Sequence, residues 1–249
     1  MIDAETLARH CDELLSVDGF NDYCPNGLQV AGVRPVRLLV TGVTASQALL
    51  DAALEAGADA ILVHHGWFWK GEAPCLVGIK GRRVRTLMVA GTALLAYHLP
   101  LDAHPELGNN RRLAEVLGIA DARPAGADGL LWRGRLAAPC PVARLAQEVA
   151  ERLGRRPLHL PGIDRPVQEL AWCTGAAQRY IGDAHALGAE LFISGEVSEQ
   201  TAHEARELGI DYLAAGHHAT ERYGVQALGE HLARRFALQH HFIDIDNPV

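Results

Sequence analysis

Residues 60–68 read Ala-Ile-Leu-Val-His-His-Gly-Trp-Phe. The apolar run before His64 predicts a buried strand. Neighbouring side chains on a strand point to opposite faces, so His64 and His65 can serve one site only where the strand ends. A turn at Gly66 provides that end. Because ligands of open α/β sheets sit at the carboxyl ends of strands, we interpret the pair as a candidate metal site.

The composition is that of an ordinary soluble globular protein, with 249 residues, 49% of them hydrophobic, and a formal net charge of −7. This charge gives no overall attraction to nucleic acid or to an anionic membrane, so nucleic-acid binding stays open and would need a local basic patch. Five scattered cysteines without a C-x-x-C pair disfavour a disulfide framework and a thiolate zinc site. Residues 1–5 show no secretory signal, and no apolar run approaches the roughly 20 residues that cross a bilayer. We expect no membrane association and a cytoplasmic location.

The first half of the chain alternates predicted strands and helices. Strands at residues 36–40, 60–63 and 92–97 are separated by helices at 45–56 and 82–89. The second half continues in the same way. Such alternation predicts an α/β fold that combines mixed sheets with helices.

The two halves also resemble each other. Thr41-Gly42, a helix, a strand and His64-His65 have a counterpart in Thr174-Gly175, a helix, a strand and Gly195-Glu196. This repeat predicts two related α/β lobes.

The boundary between the lobes is expected in the stretch 121–129, which is rich in Gly, Ala and Asp. We therefore place the first lobe at residues 1–125 and the second at residues 126–249, as one compact unit without an inserted domain. Equivalent strand ends of the two lobes are expected to meet at a shared cleft that holds the metal site.

Three predicted strand ends carry imidazole and carboxylate side chains, namely His64, His65, His98, Asp102, His217 and Glu221. Such donors without thiolate suit zinc, manganese, iron or cobalt. The set exceeds the need of one four-coordinate ion and suffices for two ions if one carboxylate bridges them. Any one cluster alone is better explained by ordinary polar loop histidines. The coincidence of three clusters favours the metal site.

Local sequence distinguishes the roles of these residues. Pro100 keeps the preceding residue extended, which predicts that His98 and Asp102 lie on a loop. We expect His98 to hold a ligand or substrate, and Asp102 to bind the metal directly. A helix predicted from Thr220 places Glu221 in its first turn, where the helix dipole favours an ionised carboxylate.

Other side chains have two open interpretations each. Glu196 is a candidate general base or a group that supports a metal ligand, but it could equally cap the following helix. His98 is the second catalytic candidate. Trp67, Phe68 and Trp69 could stack on a base, although packing is the commoner role.

Four segments together resemble one known family, and they are NGLQVAG at 26–32, ILVHHGWFW at 61–69, LLAYHLPLDAHPELGNN at 94–110 and AAGHHATERYGVQALGEHL at 214–232. This is the dinuclear metal centre family of GTP cyclohydrolase 1 type 2 homologs, the Ngg-interacting-factor-like group. The resemblance runs from about Asn26 to the carboxyl terminus.

The resemblance implies five metal ligands. His65 and Asp102 would hold one ion, His64 and His217 the other, and Glu221 would bridge them. It also implies a toroidal homohexamer whose metal sites face an internal cavity.

Two functional hypotheses follow. The first is a metal-dependent hydrolase that binds two divalent ions per subunit, with zinc, iron or manganese as candidates, and acts on a purine nucleotide such as GTP or on a phosphoester. The second is a non-enzymatic metal-binding or regulatory scaffold, with a role in stress response or DNA repair.

Overall fold

The structure is a computed structural model that describes residues 2–162 and 164–249. Along the chain its elements are α1 (Ala4–Leu14), β1 (Gly27–Val30), β2 (Leu38–Thr44), α2 (Gln47–Glu55), β3 (Ala60–His65), α3 (Gly78–Ala90), β4 (Ala93–Ala96), α4 (Leu99–Ala103), α5 (Asn109–Leu117), β5 (Ala120–Pro124), β6 (Trp132–Cys140), α6 (Val142–Leu153), β7 (Leu158–Leu160), β8 (Val167–Cys173), α7 (Ile181–Ala186), β9 (Leu191–Ser194), α8 (Glu199–Leu208), β10 (Asp211–Ala214), α9 (His217–Phe236) and β11 (Gln239–Phe242). Within the described ranges, no helix is both long and apolar enough to cross a bilayer.

The first compact unit comprises the chain up to Leu101 together with Gly224–Asp246. Its five-stranded sheet has the order β1-β4-β3-β2-β11. Strands β11, β2, β3 and β4 are parallel, and β1 joins β4 antiparallel. The apolar strand residues pack against Leu49 and Leu50 of α2 and Leu87 of α3. This burial on the sheet explains why the parallel strands read as nearly continuous apolar runs.

The second unit comprises Asp102–Tyr223 and Asn247–Val249. Its six-stranded sheet has the order β5-β6-β8-β9-β10-β7, in which only β8, β9 and β10 run parallel. Trp132 and Trp172 are the largest side chains of its core, and the amphipathic helix α6 packs its apolar side into the same cluster.

Both units contain the same motif. In the first, β2, β3 and β4 lie side by side in parallel, and β1 joins the last of them antiparallel. In the second, β8, β9 and β10 do the same, and β7 joins the last of them antiparallel. The predicted α/β class with two related lobes and mixed sheets is therefore the observed architecture.

Two local predictions near the candidate residues are wrong. Residues Leu99–Ala103 form the short helix α4 rather than an extended loop. Pro100 lies in its first turn, where the N–H that proline lacks would have no helical partner anyway. Helix α9 begins at His217 rather than near Thr220, directly after Gly216, whose φ of 104° lets the chain turn sharply into the helix.

The compact units divide the chain after Leu101 and again before Gly224, whereas the sequence placed one boundary near residue 125. The reason is that the carboxyl-terminal segment returns to the first sheet, where Gln239 of β11 pairs in register with Leu38 of β2. The stretch expected to separate the lobes contributes the edge strand β5 instead. A pairing between residues so distant in sequence leaves no local signal.

Candidate metal centre

Three imidazoles of the first unit lie together at the carboxyl ends of β3 and β4. Strand β3 ends at His65, and β4 ends two residues before His98. The ring centroids of His64 and His65 are 4.6 Å apart, and those of His64 and His98 are 5.0 Å apart. One ligand nitrogen from each ring lies within 4.8 Å of the others, so this cluster could hold a metal ion.

Hydrogen bonds determine which nitrogen of two of these rings carries the proton. Nδ1 of His64 lies 2.9 Å from the carbonyl oxygen of Tyr97. A carbonyl oxygen only accepts, so Nδ1 donates and Nε2 carries the ring's lone pair. Nδ1 of His98 lies 2.9 Å from Oδ1 of Asp22, with the same consequence. Metal-binding histidines are typically oriented in this way by a carbonyl or a carboxylate.

Asp22 is a site residue that nothing in the sequence singles out. Besides His98, its carboxylate accepts hydrogen bonds from Nδ2 of Asn26 at 3.0 Å and from the backbone N–H groups of Leu99 at 3.0 Å and Tyr23 at 2.7 Å. Burial opposes ionisation, but the hydrogen bonds from His98, Asn26 and Leu99 outweigh it and lower the pKa of Asp22 to about 2. Asp22, the hydrogen-bond acceptor of His98, is therefore a carboxylate anion.

The turn after His65 is fixed by one amide side chain. Oε1 of Gln29 accepts the backbone N–H of Trp67 at 2.7 Å, and its Nε2 donates to the carbonyl oxygen of the same residue at 3.1 Å. The amide lies so close to Gly66 that any Cβ there would collide with it. The glycine is thus required by the close approach of the Gln29 amide.

In the second unit, Asp102 lies in α4 and is held by the next helix. Its Oδ1 accepts hydrogen bonds from Nδ2 of Asn109 at 2.8 Å and from the hydroxyl of Thr174 at 3.2 Å. Nδ2 of Asn110 donates to the backbone oxygen of Asp102 at 3.2 Å. Asn109 thus positions this carboxylate and Asn110 holds the backbone of the same residue, while Gly108 takes the N-cap position of α5.

His217 lies between two carboxylates of the same unit. Its Nδ1 is 2.7 Å from Oε1 of Glu196, and its Nε2 is 3.1 Å from Oε2 of Glu221. Burial disfavours the imidazolium, but Glu221 and Glu196 outweigh it and raise the pKa of His217 to about 9. Glu196 therefore orients His217, and the capping role belongs to Ser198 at the start of α8.

The pair Thr174-Gly175, noticed in the sequence only as a mark of the repeat, contacts both buried carboxylates. Thr174 donates to Asp102, and Gly175 lies against Glu221 so closely that a Cβ there would collide with the carboxylate. Gly175 also has a φ of 70°, in the left-handed region. Buried carboxylates need compensating positive charge, and a bound cation is a usual compensation. The nitrogen and oxygen donors fit a divalent metal ion.

Two residues of the quoted sequence segments have ordinary structural roles. Nδ1 of His104 accepts the backbone N–H groups of Glu106 at 3.2 Å and Leu107 at 3.0 Å, so this ring stabilises the loop before α5. Trp67 is buried, and its Nε1 donates to the carbonyl oxygen of Ala45 at 3.0 Å. Packing is the role of this tryptophan.

Comparison with known proteins identifies the family. The model of the Duf34/NIF3 (NGG1p interacting factor 3) family matches residues 2–248. The chain belongs to this family. A protein of Allochromatium vinosum named "GTP cyclohydrolase 1 type 2 homolog" is 59% identical, with 100% of this chain and 98% of that protein covered. A Pseudomonas aeruginosa protein of the same name is 56% identical over 98% of each chain.

The fold of this Duf34/NIF3 chain is also that of a solved structure. The protein titled ybgI, of unknown function, superposes with a TM-score of 0.95 at 49% sequence identity, and the match covers 100% of both chains. The family resemblance and the mixed α/β architecture predicted from the sequence are both confirmed.

Proposed function

We propose that this Duf34/NIF3 protein binds two divalent metal ions per chain and uses them to hydrolyse a nucleotide. The observation that carries the proposal is that three of the histidine and carboxylate donors are each held in place by a hydrogen bond with a second polar group. The carbonyl of Tyr97 holds His64, Glu196 holds His217 and Asn109 holds Asp102. Such supporting hydrogen bonds typically accompany metal ligands. The name shared by the relatives supports the substrate class.

As the family resemblance implies, residues of both units would bind the metal ions. The proposed ligands are His64, His65, Asp102, His217 and Glu221. Zinc, iron and manganese all accept this donor set, and the ion bound in the cell depends on availability. Association into a toroidal homohexamer and a cytoplasmic location belong to the same proposal. Sedimentation of the purified protein tests the first of these.

The chain's own residues would orient the reaction. Divalent ions supply Lewis acidity, which polarises an electrophilic centre and makes water acidic enough to react at neutral pH. Asp22 holds the proton of His98 on Nδ1, so Nε2 faces outward from that pair as a proton acceptor. Glu196 holds His217 in one orientation. We assign His98 and Glu196 to acid–base and positioning roles respectively.

Turnover of GTP and of a phosphoester panel tests the proposal. Wild-type protein, chelator-treated protein and the His64→Ala variant are assayed side by side. We expect turnover by the wild type and its loss in both other samples. Equal turnover by all three would contradict the proposal, since activity would then come from elsewhere. Metal binding by the wild type without turnover of any substrate would favour the non-enzymatic role, a metal-binding or regulatory scaffold.

A further inference from the structure

Two aromatic side chains of the first unit lie beside the histidine cluster without belonging to it. The ring centroids of Tyr23 and Trp69 are 5.9 Å apart, with an angle of 34° between the ring planes. The ring of Trp69 is 6.0 Å from that of His65. Both aromatic rings meet His98 edge-on, at 5.0 Å for Tyr23 and 5.1 Å for Trp69. We call Tyr23 and Trp69 the aromatic platform.

The aromatic platform keeps part of its surface open to solvent. Tyr23 is 50% exposed even though it contacts two other rings, and Trp69 is partly exposed. Apolar ring surface in water costs free energy in proportion to its area, and burying it against a ligand recovers that cost. The partial exposure of Trp69 distinguishes it from Trp67, the tryptophan two residues before it in sequence, which is buried in the core.

The backbone around the platform is held in place. The N–H of Lys70 donates to the carbonyl oxygen of Tyr23 at 2.7 Å, which ties together the two loops that carry the rings. Gln29 fixes the chain at Trp67 through its two hydrogen bonds. Phe68, between Trp67 and Trp69, has a φ of 68°, a conformation that non-glycine residues seldom adopt and that occurs preferentially at ligand sites. A rigid surface needs little ordering when a ligand binds.

We propose that the aromatic platform stacks against a nucleobase, and that purines bind there better than pyrimidines. Neither ring carries a charge, so the platform selects a flat, polarisable ring rather than a phosphate group. A purine presents a larger face than a pyrimidine and therefore covers more of the exposed ring surface. The inference rests on the proposed function in one respect, because a base stacked here is useful to catalysis only if the neighbouring His65 binds metal.

Tryptophan fluorescence reports on this surface directly. The chain has four tryptophans, of which Trp67, Trp132 and Trp172 are buried. We therefore expect a ligand that stacks on the platform to quench the fluorescence of Trp69. Wild-type protein is titrated with GMP, CMP and ribose 5-phosphate, both metal-loaded and after chelation. We expect saturable quenching by GMP, weaker binding of CMP, and no quenching by ribose 5-phosphate. If neither GMP nor CMP quenches the fluorescence, the proposal is overturned.

Variants separate stacking from a structural role. Binding of radiolabelled GMP is measured by equilibrium dialysis, and folding and metal content are checked for each variant. We expect Tyr23→Ala and Trp69→Ala to bind GMP at least about fivefold more weakly, since loss of a stacking partner costs about 1–3 kcal/mol per base. The variants Tyr23→Phe and Trp69→Phe keep an aromatic ring at each position and should retain GMP binding. Tyr180→Ala removes an aromatic ring of the second unit and serves as the control.

Unchanged GMP affinity in both alanine variants would overturn the platform, even if the protein hydrolyses nucleotides. If both alanine variants fail to fold, a GMP affinity of Trp69→Leu equal to that of Trp69→Phe would overturn it. Conversely, ring-dependent GMP binding that persists after chelation, in a protein without hydrolytic activity, would support the platform and contradict the proposed hydrolysis. The two proposals therefore fail by different measurements.

Discussion

Oε1 of Glu196 lies 2.7 Å from Nδ1 of His217, so a carboxylate holds the imidazole from the side opposite to Glu221. The first unit contains the same arrangement, in which Asp22 holds Nδ1 of His98 at 2.9 Å. A carboxylate in this position fixes the direction of the ring. Each unit thus presents an oriented imidazole, which isolated surface histidines do not provide.

The first prediction concerns this support. Glu196→Gln keeps an acceptor near His217 but removes the charge, so the affinity for Zn²⁺ should fall by about 10-fold or more. Titration calorimetry of the chelator-treated protein measures the change. Glu199→Gln is the matched control, because this side chain lies three residues further along and is 87% exposed. Equal affinities of the two variants would show that Glu196 does not support a metal ligand.

The second prediction uses two glycines with similar backbone angles. Gly175 has a φ of 70° and Gly188 a φ of 79°, so alanine at either position costs about 1–2 kcal/mol of backbone strain. A Cβ at Gly188 meets no atom within 4 Å, whereas a Cβ at Gly175 collides with Glu221. Gly175→Ala should therefore lose more stability than Gly188→Ala and also lose bound metal.

Thermal unfolding and metal analysis of the two purified glycine variants check this prediction. If Gly175→Ala retained the metal content of Gly188→Ala, the carboxylate of Glu221 would not be needed in its present position.

The third prediction concerns Asp22, whose carboxylate accepts the hydrogen bond from His98. Asp22→Asn converts one of two accepting oxygens into a donor, so N–H groups that now point at the carboxylate lose their acceptor. The free energy of unfolding should fall on the order of 2–3 kcal/mol, as expected when a buried charged acceptor is removed. Urea denaturation measures this. Asp18→Asn, at an exposed position, should change little. Similar stabilities of the two variants would refute the structural role of Asp22.

The fourth prediction is a pH dependence of stability. His10 of α1 stacks on His231 of α9, with ring centroids 5.6 Å apart and their Nε2 atoms 3.3 Å apart. Burial, together with the charges of His231 and Arg235, lowers the pKa of His10 below its ordinary value of 6.5, although Glu13 opposes the shift. The unfolded chain then binds the proton more tightly than the folded one. The contribution of His10 is complete above pH 6.5 and is lost as the pH falls below that value.

Urea denaturation at about pH 7 and about pH 5 checks the sign. The His10→Gln variant should lose less stability over this interval than the wild type. His203→Gln, at a residue that is 61% exposed, should behave like the wild type. A larger loss in His10→Gln than in the wild type would contradict the predicted direction.

The strands that carry the histidines could be predicted from the sequence because their signals are local. The apolar run of residues 60–63 and the glycine after His65 indicate where β3 ends. The parallel core strands have similar runs. The short edge strands β5 and β7 lack them, and Leu158 of β7 is 52% exposed, so nothing in their composition distinguishes them from loops.

The groups that support the candidate ligands could not be predicted, since each acts on a residue far away in sequence. Asp22 holds His98 across 76 positions, and Thr174 holds Asp102 across 72. Asparagine commonly caps helices, but the amide of Asn109, at the start of α5, orients Asp102 instead. Local propensity suggests what a residue can do, and the fold determines which partner it meets.

The most direct test of the central claim is the metal content of the purified protein, measured by inductively coupled plasma mass spectrometry for the wild type, His64→Ala and Glu221→Ala. The two variants remove one proposed ligand from each unit. We predict two divalent ions per wild-type chain and fewer in both variants, whose folding is confirmed by circular dichroism. A wild-type metal content in both folded variants would contradict the proposed centre.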